Sequence, residues 1–193
     1  IVKVRNNPTL CAELLELLQY NFEHIDFIDE RVDFGFDCPL DLHCNYTRDQ
    51  ILVALDFLKP STVREGVKFL PDKKIDIAFV TLNKSDKDYS PSTMYQDYSV
   101  GDEFFHWQSQ STTSENSFTG QRYIHHREEG TLFLLFVREN KTDRISGGAS
   151  VYTFLGKANY VQHEGTRPMS ILWKLERPIP ARLQKKTNEL IGG

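Results

Sequence analysis

Val67-Lys68-Phe69-Leu70-Pro71-Asp72-Lys73-Lys74-Ile75-Asp76-Ile77-Ala78-Phe79-Val80-Thr81-Leu82 is the stretch where the apolar period of this chain changes from helical to alternating or continuous. Residues 67–70 and 75–82 read as strands. From this point on, further strand patterns fall at 104–110, 131–138, 150–156, 159–164 and 169–176. Six or seven short strands with no helical pattern between them predict a mostly antiparallel curled sheet or barrel rather than a parallel α/β sheet.

Upstream the pattern is helical. Leu10, Leu14, Leu17, Leu18, Phe22 and Ile25 recur at three- and four-residue spacing behind Pro8, which predicts an amphipathic helix over about residues 8–30. A loop with Gly35 and Cys38-Pro39 follows. Thr47 and Gln50 then form a capping box before the apolar run Ile51 to Leu58, and Pro60 ends that second helix. The expected class is α+β, with a helical subdomain or linker at 1–66 and a β-barrel-like domain at 67–193. A short terminal helix is expected after Pro180, and Arg138 to Arg144 with Gly147-Gly148 reads as a polar loop between strands.

At 193 residues, with 39% apolar and 26% charged residues, the chain is an ordinary globular composition able to build a core. No apolar run reaches the roughly 20 residues of a membrane span, and the start has no signal-peptide stretch, so a cytoplasmic setting with no membrane partner is the default expectation. Beginning without methionine, the sequence reads as a piece of something longer. Cys11, Cys38 and Cys44 are odd in number and read as reduced thiols; His43 beside Cys44 makes no ligand spacing for zinc, and no cofactor is expected.

The net charge of −4 argues against a protein that holds nucleic acid mainly through a positive field. The charge is divided unevenly, at −6 for residues 1–66 and +2 for 67–193, so the second part can still offer a local phosphate-binding face.

Within the β region, Tyr95 to Tyr123 mixes rings with hydrogen-bonding side chains: Tyr95, Asp97, Tyr98, Phe104, Phe105 and Trp107, then Gln108 to Thr113, then Gly120-Gln121-Arg122-Tyr123. Such a polar load is costly in a core, where every buried amide or hydroxyl needs a partner. It suits a flat polar ring. Strand alternation puts Phe105, Trp107, Ser109 and Ser111 on one face and Phe104, His106, Gln108 and Gln110 on the other. The candidate base-binding set is therefore Tyr95, Asp97, Tyr98, Phe104, Trp107, Gln108 and Gln110, with Asp97 accepting from an exocyclic amine such as that of cytosine. The competing reading makes the rings core and Asp97 a turn cap. Candidates for the DNA backbone are Ser111, Thr112, Thr113, Gln121, Arg122, His125, Arg127 and Arg167, supplying hydroxyls, amides and guanidiniums.

No catalytic signature emerges. His125-His126-Arg127-Glu128-Glu129 is contiguous and matches no metal-ligand spacing, so it reads as a solvated turn; no nucleophile elbow or phosphate-cradling glycine motif occurs. The chain is expected to be noncatalytic.

Tyr89 to Tyr98, Phe105-His106-Trp107-Gln108-Ser109-Gln110-Ser111, Gly120-Gln121-Arg122-Tyr123, Tyr152-Thr153-Phe154-Leu155-Gly156 and His163-Glu164-Gly165-Thr166-Arg167-Pro168-Met169 together resemble the C-terminal domain of unknown function of superfamily-two helicase proteins that often begin with a phospholipase-D-type nuclease. The segment Tyr46-Thr47-Arg48-Asp49-Gln50-Ile51-Leu52 is similar to the same family, most of all to SauUSI-type, modification-dependent (type IV) restriction enzymes. The resemblance implies a target-recognition role in such an enzyme, whose nuclease and helicase domains are partners in the same parent chain. Its DNA partner would be a duplex containing 5-methylcytosine or 5-hydroxymethylcytosine, flipped into an aromatic pocket of an SRA-like or PUA-like curled barrel. Those readers' own sequence motifs are absent here, so the role of Asp97 rests on chemistry and analogy. The alternatives are a noncatalytic coupling or oligomerisation module that packs on the helicase motor, and a hidden hydrolase.

Overall fold

The computed structural model describes residues 7–23, 30–83, 97–143, 145–179 and 184. It divides into two compact units, residues 1–30 and 31–193. The first carries helix α1, Pro8–Glu23. Asn7 caps it: its Oδ1 accepts from the Leu10 amide at 3.1 Å, and Pro8 occupies a first-turn position where no amide is needed. The end expected near residue 30 lies in part outside the described residues. None of the helices described is long and apolar enough to cross a membrane.

The second unit is an α+β domain. The strands of its eight-stranded sheet are β1 (Asn45–Tyr46), β2 (Val67–Leu70), β3 (Ile75–Thr81), β4 (Tyr98–Val100), β5 (Phe104–Gln108), β6 (Leu132–Arg138), β7 (Tyr152–Glu164) and β8 (Ser170–Leu175). They form one sheet in the order β2-β3-β6-β7-β8-β5-β4, with β1 also on β7. Every described pairing in this sheet is antiparallel except β3 with β6, which run parallel from Ile75↔Leu132 to Thr81↔Arg138.

All seven residues of β3 are buried, Asp76 and Thr81 among five apolar ones. Alternation sorts them. Ile75, Ile77 and Phe79 join Leu134, Phe136 and Phe154 in one core, whereas Ala78 and Val80 join Phe133, Leu135, Trp107 and Trp173 in another. Helix α2 (Arg48–Ala54) supplies Ile51 and Leu52 to the first core and α3 (Phe118–Ile124) supplies Tyr123 to the second. In the part of the second unit that precedes β2, Phe34, Leu40, Ile51, Leu52 and Leu55 bury themselves against β3 and β6. Each such side chain contributes about 1.5–3 kcal/mol through burial.

Val80 on β3 and Trp107 on β5 share a core although β6, β7 and β8 lie between them in the sheet. The sheet is therefore curled. It is not closed: β2 and β4 are its two ends and do not pair with each other, so the barrel alternative gives way to an open curled sheet.

The capping box on α2 is formed as expected, with Gln50 N–H donating to Thr47 Oγ1 at 3.2 Å and Thr47 N–H to Gln50 Oε1 at 2.8 Å. Strands expected at 150–156 and 159–164 are one continuous β7, since Lys157 and Ala158 stay in register with Leu134 and Phe133. Gly156 absorbs the irregularity there with φ +95°. Helix α3 was not foreseen. Ser117 caps it by accepting from Gly120 N–H at 3.1 Å, and Gly120 is required because a Cβ there would come within 2.1 Å of the Ser114 carbonyl oxygen. Strand β4 was also missed, being three residues long. The terminal helix expected after Pro180 lies outside the described residues, apart from Gln184.

Candidate functional site

Along β5 and the two residues after it the alternation holds: Phe105, Trp107 and Ser109 are buried, while Phe104, His106, Gln108 and Gln110 are half-buried. Ser111 falls beyond the strand and is exposed. Asp97, just before β4, is buried, and its Oδ1 accepts from the Gln108 amide at 2.9 Å.

A cavity of about 720 Å³ opens beside these residues, at the C-terminal ends of β3 and β6. Asp97, Trp107, Gln108 and Gln110 line one side; Phe79 and Tyr152 line another. Gln110, just past β5, donates from Nε2 to Glu65 Oε2 at 2.8 Å, just before β2, so the two sides of the open sheet meet at the cavity. The volume is that of a small-ligand site and exceeds what one base needs.

Four cations also line it, Arg48, Arg64, Arg138 and Lys141, against two carboxylates, Glu65 and Asp97. Arg48 sits over the Phe79 ring at 4.7 Å and 5.9 Å from the Tyr152 centroid; Arg138 lies 4.5 Å from the Tyr152 centroid. Arg48 Nη2 donates to Tyr152 Oη at 3.2 Å and Arg138 Nε to Thr81 Oγ1 at 2.9 Å. Sequence reasoning missed Arg48, Arg64, Phe79, Arg138, Lys141 and Tyr152 as a group. They come from α2, the loop before β2, β3, the end of β6, the loop after it and β7. The available signal was an arginine terminating a wholly apolar strand, Leu132 to Arg138.

Of the seven base-binding candidates, Asp97, Trp107, Gln108 and Gln110 meet at the cavity. Tyr95 lies outside the described residues. Tyr98 and Phe104 do not line the cavity: Tyr98 stacks on His106, centroids 4.6 Å apart, and Phe104, at the far end of β5, lies 5.7 Å from Lys174 Nζ. Trp107 is also a core residue, 4% exposed and packed against Tyr123, Phe133 and Trp173, so it presents an edge of the core rather than an open stacking face.

None of the eight backbone candidates lines this cavity. Arg122, expected at a phosphate, instead makes a two-point ion pair with Asp76 at 2.7 and 2.9 Å and lies over the Phe69 ring at 3.8 Å. Burial pushes the Asp76 carboxyl above its usual range, against the pull of the Arg122 hydrogen bonds and charge. His125 pairs with Glu128 at 3.0 Å, Arg127 Nε donates to Asn159 Oδ1 at 3.0 Å, and Gln121 Nε2 donates to Glu115 O at 2.9 Å. Thr113 is buried and its carbonyl accepts from Arg167 N–H at 3.1 Å; Ser111, Thr112 and Arg167 are exposed.

His126 departs from the solvated turn expected for its segment. It is 4% exposed, its Nδ1 lies 3.0 Å from Thr131 O, and Tyr160 N–H donates to its Nε2 at 3.0 Å. That arrangement assigns the proton of a neutral ring to Nδ1.

No curated protein matches the chain. A family model described as "Domain of unknown function (DUF3427)" matches residues 40–186, a span that takes in β1 to β8 and every residue named at the cavity, and the chain belongs to that family.

Proposed function

We propose that this domain is a noncatalytic DNA-recognition module that reads 5-methylcytosine or 5-hydroxymethylcytosine by taking the flipped base into the cavity. The observation that carries the reading is the meeting of Asp97, Gln108 and Gln110 with Phe79, Trp107 and Tyr152 around 720 Å³, inside a rim of four cations. A base has apolar faces and a polar edge, and this lining offers surfaces for both. Extrusion of a base costs a few kcal/mol, which apolar contact and edge hydrogen bonds repay. Asp97 faces the exocyclic amine, since an ionised carboxylate accepts at more than one site. A single methyl is worth only about 1 kcal/mol by burial, so discrimination comes from fit against the apolar wall together with that edge contact. In a parent protein with nuclease and helicase domains, the module would direct cleavage to modified sites.

Titration of the 193-residue chain with duplexes that differ by one methyl, at fixed salt, tests the reading, with Asp97→Asn as the site variant. Tighter binding of the methylated duplex, reduced in Asp97→Asn, is expected. Equal affinity of the wild-type chain for both duplexes would sink it, and would favour the coupling-module reading, for which the exposed Leu15, Leu17 and Leu18 of α1 are the pertinent feature.

A further inference from the structure

Arg48 and Arg138 are both half-buried, both line the cavity, and both make hydrogen bonds to neutral acceptors. Arg48 donates to Val63 O and Tyr152 Oη, each at 3.2 Å; Arg138 donates to Thr81 Oγ1 at 2.9 Å and Ser150 O at 3.3 Å. Neither has a carboxylate partner among the described residues. Arg122 shows the alternative in the same domain, where a shielded guanidinium is met by Asp76. A charge drawn out of water without a counter-charge costs free energy, and two such charges beside one aromatic ring add mutual repulsion.

The remedy for that arrangement is an anion. Each guanidinium has five N–H donors and commits two, so both retain donors for the oxygens of a ligand. Tyr152 holds them in place, with Arg138 over its ring and Arg48 on its hydroxyl. The two carboxylates on the lining bond other groups rather than these guanidiniums, Glu65 accepting from Gln110 Nε2 and Asp97 from the Gln108 backbone amide.

We propose that Arg48 and Arg138 bind a phosphate of the nucleotide whose base enters the cavity, so that the site takes a base with its attached phosphodiester rather than a base alone. This rests on reading the cavity as a nucleotide site. A DNA phosphodiester and free inorganic phosphate share the chemistry, and the test separates them.

The wild-type chain, Arg48→Gln, Arg138→Gln and Arg138→Lys are titrated with a duplex bearing one 5-methylcytosine and with its unmodified counterpart over a range of salt, and with inorganic phosphate alone; thermal melting is recorded without ligand. Each glutamine variant should lose about tenfold in affinity for both duplexes, lower the salt slope by about one and keep the ratio between duplexes. Arg138→Lys keeps the charge and loses the fork, so it should fall between. If Arg138→Gln melts lower than the wild type, Arg138→Lys carries the comparison. Glutamine variants that melt as the wild type and bind both duplexes unchanged overturn the proposal. So does loss of inorganic phosphate binding with duplex affinity intact, which would assign the pair to a free anion. A wild-type chain that shows no methyl preference while the glutamine variants still lose tenfold removes the modified-cytosine reading and leaves the phosphate contact standing.

Discussion

Phe69 and Asp76 stand directly opposite each other across the β2–β3 pair, and one guanidinium serves both: Arg122 bonds the carboxylate while lying 3.8 Å over the ring. The pair fastens α3 to the sheet's end at a point where the cores on either side are apolar. Removing one partner leaves the other charge buried and alone. Asp76→Asn is therefore expected to destabilise the domain by about 3–5 kcal/mol, whereas replacing Asp76 and Arg122 together by leucine and methionine should cost far less. Urea unfolding of the wild type and the two variants checks this; a single variant no less stable than the double one contradicts it.

Gly120 admits no side chain. The Ser114 carbonyl oxygen would sit 2.1 Å from an added Cβ, and the obstacle is backbone that cannot swing aside. Gly120→Ala should cost about 1–3 kcal/mol, despite the higher helix propensity of alanine. A melting temperature equal to or above the wild type's would show that the α3 entry can shift.

His126 couples stability to pH. Burial lowers its pKa below the ordinary 6.5, the Thr131 carbonyl opposes that shift, and the Arg127 charge adds to it. The unfolded chain therefore binds the proton first. The stabilisation is complete above about pH 6.5 and is lost as pH falls from there to the folded-state value, with a limiting slope of about 1.4 kcal/mol per pH unit. Urea midpoints measured from pH 8 to pH 5 should decline more steeply for the wild type than for His126→Gln. Parallel curves would mean that the ring titrates alike in both states.

Thr47 caps α2 one residue before Arg48. Thr47→Ala should cost about 1 kcal/mol through the lost cap. Since Arg48 begins the helix thus anchored, the same variant should weaken duplex binding about two- to threefold, by loosening a cation it does not itself replace. Stability lost with affinity retained would separate the cap from the cavity.

Much of the fold was legible because it is local. The apolar period placed β2, β3, β5, β6 and β8 close to their observed ends, the Thr47 and Gln50 pair announced α2, and the alternation from Phe104 to Gln110 separated buried from half-buried residues. What failed locally failed for a reason. Helix α3 has a glycine in its middle and only two turns, so propensity and period were both weak there, and its position is set by Arg122 reaching Asp76. Ala158 and Lys157 looked like a break in β7 because their partners on β6 and β8 are distant in sequence.

The candidate site divides the same way. Asp97, Trp107, Gln108 and Gln110 come from one stretch of chain, and their mixture of ring, amide and carboxylate was enough to single them out. Arg138 carried one local signal, its place at the end of an apolar strand, whereas nothing in the neighbourhoods of Arg48 and Tyr152 distinguishes a cavity residue from any other. Only the curl of the sheet, which draws the ends of β3, β6 and β7 toward β5, brings those charges to one ring and one cavity. Sequence by itself determined which segments bury and which face they turn inward, because hydrophobic period is a local property. Which charges face each other was decided by tertiary structure, because electrostatics depends on distance in space and not along the chain.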